Sequence, residues 1–157
     1  NMNLKELRTQ GHLTQQKASE ITGLPLRTYI RYENDEIKSD TIKYMYAAEK
    51  LAEYNRIDET TGILSIEKIK EKISPILAEN NIELCILFGS YAKGIATEKS
   101  DVDLLVKTKL KGLSFYGLFD EIKEALHKKI DLLRIEDLKD NTELLSEVLK
   151  DGVRIYG

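Results

Sequence analysis

The sequence contains 157 residues, of which 41% are hydrophobic and 32% are charged, and its formal net charge is −3. This composition is typical of a soluble globular protein and argues against a fibrous or largely disordered chain. No apolar run approaches the roughly 18 residues of a membrane-spanning helix, so no membrane partner is expected. The polar N-terminal residues do not resemble a signal peptide, and the lone cysteine, Cys85, leaves no intramolecular disulfide. We therefore expect a cytoplasmic protein.

The chain divides into two halves that differ in periodicity and charge. Residues 1–56 follow a helical apolar pattern and carry nine Lys or Arg residues against eight Asp or Glu residues. The remainder carries fifteen basic against nineteen acidic residues, and from residue 66 helical segments alternate with short β-rich runs. Helical periodicity lapses around Thr60-Thr61-Gly62. The pattern predicts an α+β protein, with an all-α domain (1–56), a linker (57–65) and a small mixed α/β domain (66–157).

The first half predicts about five short helices, two of which flank Gly23. Thr14 is a suitable N-cap for a helix over 15–22, which Gly23 ends, and the next helix opens just beyond it. Two short helices joined at a residue that tolerates positive φ are typical of a helix-turn-helix. Arg27 and Arg31 lie four residues apart and project from one face of the second of these helices. Arginine at such positions can pair with guanine edges or bind phosphates.

Residues 3–52 resemble the phage-repressor (Cro-like) helix-turn-helix family, through Leu13-Thr14-Gln15, Gly23-Leu24, Arg27-Thr28-Tyr29 and Tyr32-Glu33. The resemblance implies binding to operator DNA, with phosphate contacts from Gln15 and Asn34 and base contacts from Leu26, Arg27 and Arg31. The net charge of this half is only +1, so a DNA-binding surface would have to be a local basic patch. The alternative is a helical interaction module whose arginines are merely solvated.

The second half predicts an alternation of helices and strands that forms a small mixed α/β sheet. The run over 82–88 is almost wholly apolar, as expected of a strand that is covered on both faces. The other expected elements are helices over 66–80, 114–127 and 141–151, strands over 101–107 and 130–135, and a Gly-Ser turn with a short helix after residue 88.

Two carboxylates open the second of these strands. Asp101 and Asp103 are two residues apart, so both side chains leave the same face of the strand. Two carboxylates about 7 Å apart along a backbone can converge on a hard divalent cation. Mg²⁺ commonly takes one or two carboxylates and fills its other positions with water and nucleotide phosphates. The pair predicts a magnesium site, although a solvated acidic loop is the simpler alternative.

The Gly-Ser turn after the first strand predicts a phosphate site. Gly89 allows close approach of the backbone, and we expect Ser90 to cap the short helix that follows. Backbone N–H groups and the positive end of a helix dipole favour anions such as a triphosphate. Lys93 lies one turn further on and is a candidate phosphate contact.

Asp131 is the only acidic residue within the third predicted strand. If that strand pairs beside the strand that carries Asp101 and Asp103, Asp131 can complete a triad of carboxylates. It would then accept the proton of an attacking hydroxyl or help to hold a second Mg²⁺ ion. Two ions about 3.5–4 Å apart would stabilise the attacking and leaving oxygens of an in-line displacement.

Residues 66–157 resemble the minimal members of the DNA polymerase β-like nucleotidyltransferase superfamily. The resemblance lies in Gly89-Ser90-Tyr91-Ala92-Lys93-Gly94, Ser100-Asp101-Val102-Asp103 and Ile130-Asp131-Leu132. It implies that ATP is bound with Mg²⁺ and that AMP is transferred to a hydroxyl with release of pyrophosphate. Minimal members commonly act as antitoxins that add AMP to a tyrosine of a HEPN ribonuclease toxin. A repressor-like half fits an antitoxin that also controls its own operon.

Two other functions remain open at this point. The chain could be a DNA-binding antitoxin that neutralises its partner by occlusion, with a vestigial nucleotide site. It could also transfer nucleotides to a small molecule or to an RNA end. Larger relatives hold a small acceptor in an additional C-terminal helical domain, which we do not find here. We therefore expect the acceptor to be a macromolecule, or to be bound by the helix-turn-helix half or by a second copy in a homo-oligomer.

Overall fold

The computed structural model describes residues 2–34 and 41–157. The chain forms two compact units, Asn1–Arg56 and Ile57–Gly157. The first unit is helical and the second contains a mixed sheet with helices, so the predicted fold class is confirmed. Residues 57–65, which we expected to be a linker, belong to the second unit. Leu64 is 5% exposed in the core of that unit, and Ile57 packs against the same core.

The described part of the first unit contains four helices, where the sequence suggested about five. Thr14 caps the second helix as predicted, since its side chain accepts a hydrogen bond from the Lys17 N–H at 3.1 Å. Gly23 ends that helix in the left-handed conformation, with φ of 73°. The helices are α1 (Leu4–Gln10), α2 (Gln15–Thr22), α3 (Leu26–Asn34) and α4 (Ile42–Tyr54).

The core of the first unit joins all four helices. Leu4 from α1, Ala18 from α2, Tyr29 from α3 and Leu51 from α4 are fully buried. The Leu4 N–H, which an α-helix leaves without an internal partner, donates to the Tyr44 hydroxyl of α4 at 3.1 Å. Helices α2 and α3 thus pack into one core on either side of the Gly23 turn.

The second unit is built around a four-stranded sheet with the order β3-β2-β1-β4. Strand β1 is antiparallel to both β2 and β4, whereas β2 and β3 are parallel. The elements in chain order are α5 (Ile66–Glu79), β1 (Leu84–Phe88), α6 (Gly89–Lys93), β2 (Val102–Lys107), α7 (Leu113–Leu126), β3 (Ile130–Arg134), a 3-10 helix (Ile135–Leu138), α8 (Thr142–Asp151) and β4 (Val153–Tyr156).

Each face of the sheet packs against different helices. Helices α5 and α7 cover one face, where Ile73, Ile122 and Leu104 are fully buried. Helix α8 and the 3-10 helix cover the other face, where Val148 packs in a smaller cluster with Leu105. Within the described residues, each helix is too short or too polar to cross a membrane.

Candidate active site

Three carboxylates lie together at one end of the sheet, where β1 ends and β2 and β3 begin. Asp103 of β2 is paired with Phe88 of β1 on one side and with Asp131 of β3 on the other. Asp101 directly precedes β2. The pairing that would bring Asp131 beside Asp103 is therefore present, and it is parallel and in register.

The alternation of β2 sends these side chains away from the main core. Val102, Leu104 and Val106 are buried beneath α5 and α7, so Asp103 lies on the opposite face, which α8 covers. Asp103 is half-buried, whereas Asp101 and Asp131 are exposed. One carboxylate is thus partly buried, and the two beside it are in contact with solvent.

The carboxylates repel one another. Burial, followed by the negative charges of Asp131, Asp101 and Glu147, raises the pKa of Asp103 to about 6. No Lys or Arg side chain of residues 2–34 or 41–157 forms an ion pair with Asp101, Asp103 or Asp131. Because a buried or crowded charge is costly without a partner, this set of oxygens favours a bound cation.

The donor chemistry fits a hard divalent ion, although the side chains are not yet arranged around one. Among the described residues, no three His, Cys, Asp or Glu side chains lie in a geometry that could hold a metal. Carboxylate oxygens are the protein ligands that Mg²⁺ prefers, and Mg²⁺ commonly completes its shell with water and phosphates. Such a site therefore does not need a complete set of protein ligands in place before the nucleotide binds.

Glu147 of α8 is a fourth acidic residue at this end of the sheet, and no motif in the sequence pointed to it. Its charge contributes to the raised pKa of Asp103, and its Oε1 atom lies 3.1 Å from the Lys93 Nζ atom. The one sequence signal was its position next to Val148, the buried residue that packs α8 on the sheet. Lys93, the last residue of α6, therefore forms an ion pair that links α6 to α8.

Gly89 directly follows β1 and lies against the Asp103 carboxylate. Its φ is 71°, a conformation that side chains disfavour, and a Cβ atom there would overlap the Asp103 Oδ2 atom. The predicted cap at Ser90 is wrong. Helix α6 begins at Gly89, Phe88 takes the N-cap position, and no side chain caps the helix. The first N–H groups of α6 are therefore not occupied by a capping side chain.

Lys128 fixes the loop that leads to Asp101, a role that no sequence motif indicated. Its side chain is fully buried, and its Nζ atom donates to the backbone carbonyls of Gly62 and Glu98, each at 2.6 Å, and of Thr61 at 3.3 Å. Burial lowers the pKa of Lys128. The neighbouring Lys129 carbonyl accepts from the Val102 N–H at 2.9 Å. The backbone is therefore held on both sides of Asp101.

Four of the five predicted DNA contacts lie on α3 in the first unit. Leu26 is 37% exposed, and Arg27, Arg31 and Asn34 are exposed as well. The fifth, Gln15, is half-buried at the start of α2. Its side chain helps to lower the pKa of Glu33, so it lies close to that carboxylate inside the unit.

The family of the chain follows from comparison with known proteins. Residues 71–157, more than half of the chain, match the family described as Polymerase beta, Nucleotidyltransferase. The chain belongs to this nucleotidyltransferase family. The match lies within the second unit and includes Gly89, Asp101, Asp103 and Asp131. Residues 4–43 match a helix-turn-helix family, so the predicted combination of the two is confirmed, and the chain is a nucleotidyltransferase.

Several relatives carry names that specify the transferred group. MJ0435 of Methanocaldococcus jannaschii, whose name proposes a protein adenylyltransferase, is 38% identical over 95 residues, which are 59% of this chain and 99% of that protein. The protein adenylyltransferase MntA of Shewanella oneidensis is 28% identical over 56% of this nucleotidyltransferase and 65% of its own length. A solved toxin-antitoxin complex with AMP-PNP contains a chain with a TM-score of 0.49 and 28% identity, covering 56% of this chain and 73% of that one.

Proposed function

We propose that the second unit transfers AMP from ATP to a hydroxyl of a partner protein, and that the chain is an antitoxin acting on a HEPN-type toxin. The observation that carries the proposal is the row formed by Gly89, directly after β1, Asp103 of β2 and Asp131 of β3. It occurs in a nucleotidyltransferase whose relatives are named as protein adenylyltransferases. We propose a tyrosine as the acceptor, because residues 66–157 resemble minimal nucleotidyltransferases that add AMP to a tyrosine of their toxin.

The phosphates of ATP bind at the turn between β1 and α6. Gly89 lets the backbone approach them closely, and the uncapped N–H groups at the start of α6, with Ser90 in the first turn, supply donors. Lys93 follows one turn later, where its ammonium neutralises phosphate charge in place of its ion pair with Glu147.

Asp101 and Asp103 would hold Mg²⁺ together with the phosphates, and Asp131 would share a second ion. When bound, Mg²⁺ orients the phosphates and offsets the negative charge that develops on them. Lys128 keeps Asp101 in place by anchoring the preceding loop, and Gly89 leaves space for the Asp103 carboxylate. Asp131 accepts the proton of the attacking hydroxyl, because it is exposed beside Asp103 at the edge of the sheet.

The test is transfer of label from α-labelled ATP to the protein encoded beside this chain. We expect the wild-type chain to label that protein in the presence of Mg²⁺, and we expect Asp103→Asn to reduce the rate at least about 100-fold. Asp120→Asn, which changes an exposed aspartate of α7, is the matched control and should label normally. Equal labelling by wild type and Asp103→Asn would contradict the proposal. Toxin inhibition that survives in Asp103→Asn would instead support neutralisation by occlusion.

A second function, binding to operator DNA, is favoured by the first unit. Helices α2 and α3 flank the Gly23 turn, and α3 presents Arg27 and Arg31 on its exposed surface. The match of residues 4–43 to a helix-turn-helix family supports the same role. Such helices read half-sites as dimers, so a homo-oligomer on a palindromic operator is part of this proposal. A cytoplasmic location is part of the same proposal, because operator DNA and ATP are both found there.

The DNA proposal is tested by titrating promoter DNA at several salt concentrations. The double variant Arg27→Ala/Arg31→Ala should bind weakly and lower the slope of log K against log salt by about 2. Lys5→Ala removes an exposed charge from α1 and should keep the wild-type slope. Wild-type protein that fails to bind its promoter at low salt would contradict the proposal.

A further inference from the structure

A cleft of about 470 Å³ opens beside Asp131 in the second unit. One wall is aromatic and comes from the first two turns of α7, and the opposite wall comes from strand β3. Lys111 lies at the rim, and the side chains that matter below are Phe115, Tyr116, Phe119 and Arg134. The cleft therefore adjoins the carboxylates of the site already described, but none of its other lining residues belongs to that site.

The cleft lies on a defined side of the reacting centre. The sheet order is β3-β2-β1-β4, so the Gly89 turn at the end of β1 and Asp131 in β3 flank Asp103 on opposite sides. Strand β3 is at the edge of the sheet, and the cleft runs along it. Counted across the strands, the order is the Gly89 turn, Asp103 and then Asp131. Leu132 and Arg134 line the cleft from the face that α7 covers, and Asp131 meets the cleft at the free edge of β3.

This order decides which side admits the acceptor. In phosphoryl-group transfer, the attacking and leaving oxygens are roughly in line on opposite sides of the phosphorus atom. If the pyrophosphate leaves from the Gly89 turn, the hydroxyl must enter from the side of Asp131. The cleft opens on that side, at the free edge of β3, where Asp131 lines it.

We propose that this cleft is the acceptor subsite and that it holds a segment of the partner protein with an aromatic side chain against α7. The inference rests on the proposed function and deepens it. Phe115, Tyr116 and Phe119 offer ring surfaces, and the Arg134 guanidinium stands over the Phe115 ring at 5.7 Å. Arg134 is itself held by Glu136 at 2.9 Å and Asp137 at 3.1 Å, so this wall is formed before the partner binds.

A protein fits this surface better than a small acceptor. Leu113 is 90% exposed and Tyr116 is 67% exposed, and they are three residues apart, so they share one face of α7. Large apolar side chains exposed beside a cleft are typical of protein-binding surfaces. Lys111 has no ion-pair partner among the described residues, so its charge is available to an acidic residue that flanks the acceptor.

The transfer step balances with the groups named. The acceptor oxygen forms a bond to the α-phosphorus of ATP, and the bond from that phosphorus to the bridging oxygen of the β-phosphate breaks. Pyrophosphate keeps that electron pair and leaves on the side of the Gly89 turn. The hydroxyl proton passes to the Asp131 carboxylate and from there to solvent.

The experiment measures ATP binding and labelling of the protein encoded beside this chain, for wild type, Tyr116→Ala and Lys111→Glu. Tyr116→Ala should raise the KM for the partner about tenfold, as expected for loss of one aromatic contact in a protein interface. ATP affinity should not change, because neither residue touches the phosphate turn. Tyr116→Phe should restore the wild-type KM. Leu149→Ala removes an exposed leucine from α8 and is the matched control.

The outcomes separate this inference from the function on which it rests. Wild-type chain that labels its partner, with an unchanged KM in Tyr116→Ala and Lys111→Glu, overturns the inference alone. Wild-type chain that binds no ATP overturns the proposed function as well. Labelling of the chain itself in place of the partner would mean that a second copy occupies the cleft, and would overturn the choice of a partner protein.

Discussion

Gly89 affects the site both through its backbone conformation and through its contact with Asp103. Its positive φ turns the chain sharply after β1, and the absence of a side chain leaves space for the Asp103 carboxylate. Gly94, at the other end of α6, has a similar φ of 75° but faces open space. The two glycines therefore separate the cost of a strained backbone from the cost of displacing Asp103.

Gly89→Ala should abolish nucleotide transfer, whereas Gly94→Ala should not. Both variants should lose about 1 kcal/mol of stability or somewhat more, because alanine is disfavoured at positive φ. Only Gly89→Ala brings a methyl group against the Asp103 Oδ2 atom. The measurements are urea unfolding and label transfer from ATP. If both variants lost activity equally, backbone strain in α6 would be the cause, and contact with Asp103 would not.

Lys128 shows how one buried charge can organise a loop. Its ammonium satisfies three carbonyl oxygens from two segments that are distant in the sequence. Lys72 is a natural comparison, because its Nζ atom makes a single long hydrogen bond of 3.4 Å to the Ala125 carbonyl.

Lys128→Met should lower the free energy of unfolding by about 3 kcal/mol, since it leaves buried acceptors without donors. Lys72→Met should change it by less than about 0.5 kcal/mol. Urea unfolding followed by circular dichroism measures both values. A Lys128→Met chain as stable as wild type would mean that the carbonyls find other partners and that the ammonium does not hold the loop.

At the scale of elements, α1 and α3 of the first unit are tied by one ion pair. The Arg8 guanidinium lies 2.7 Å from the Glu33 carboxylate, whose side chain is 2% exposed. Burial alone would raise the pKa of Glu33, but the hydrogen bonds and positive charge of Arg8, together with contributions from Tyr29 and Gln15, outweigh burial and hold the pKa below the usual 4.5. Because Glu33 is charged more readily in the folded state, its stabilising effect is present above pH 4.5 and is lost as the pH falls through its folded pKa.

Glu33→Gln should destabilise the first unit by about 3 kcal/mol at neutral pH, because Arg8 then lacks its charged partner. The loss should shrink on acidification below pH 4.5, where wild type also becomes protonated. Glu20→Gln breaks an exposed pair with Lys17 and should change stability by at most about 1 kcal/mol. Unfolding of the helices followed at pH 7 and pH 3 compares these variants. A Glu33→Gln effect that is the same at both pH values would contradict the assignment.

Short strands reveal the limits of prediction at this scale. The apolar run of β1, the alternation of β2 and the Gly23 turn are local signals, and the structure contains each of them. Strand β4 (Val153–Tyr156) was not predicted, because four residues carry little periodicity and its formation depends on the free edge of β1. Its alternating Val153 and Ile155 are a signal only once that edge is known.

At the scale of the whole molecule, the site depends on pairing between distant segments. The spacing of Asp101 and Asp103 follows from the sequence alone, but the position of Asp131 depends on which strand lies beside β2. The roles of Glu147 and Lys128 depend on how α8 and the loop before β2 fold back. Such contacts join residues about 30 to 70 positions apart in the chain, beyond the range of any local pattern.

In the proposed function, the row of Gly89, Asp103 and Asp131 binds ATP together with Mg²⁺. Calorimetric titration of wild type and Asp103→Asn with a non-hydrolysable ATP analogue, with and without Mg²⁺, tests it most directly. With Mg²⁺, wild type should bind at least about tenfold more tightly than Asp103→Asn, since the ion is held by the carboxylate. Without Mg²⁺, the variant should bind as well as wild type or better, because it repels the phosphates less. Equal affinities for the two proteins, unaffected by Mg²⁺, would contradict the claim.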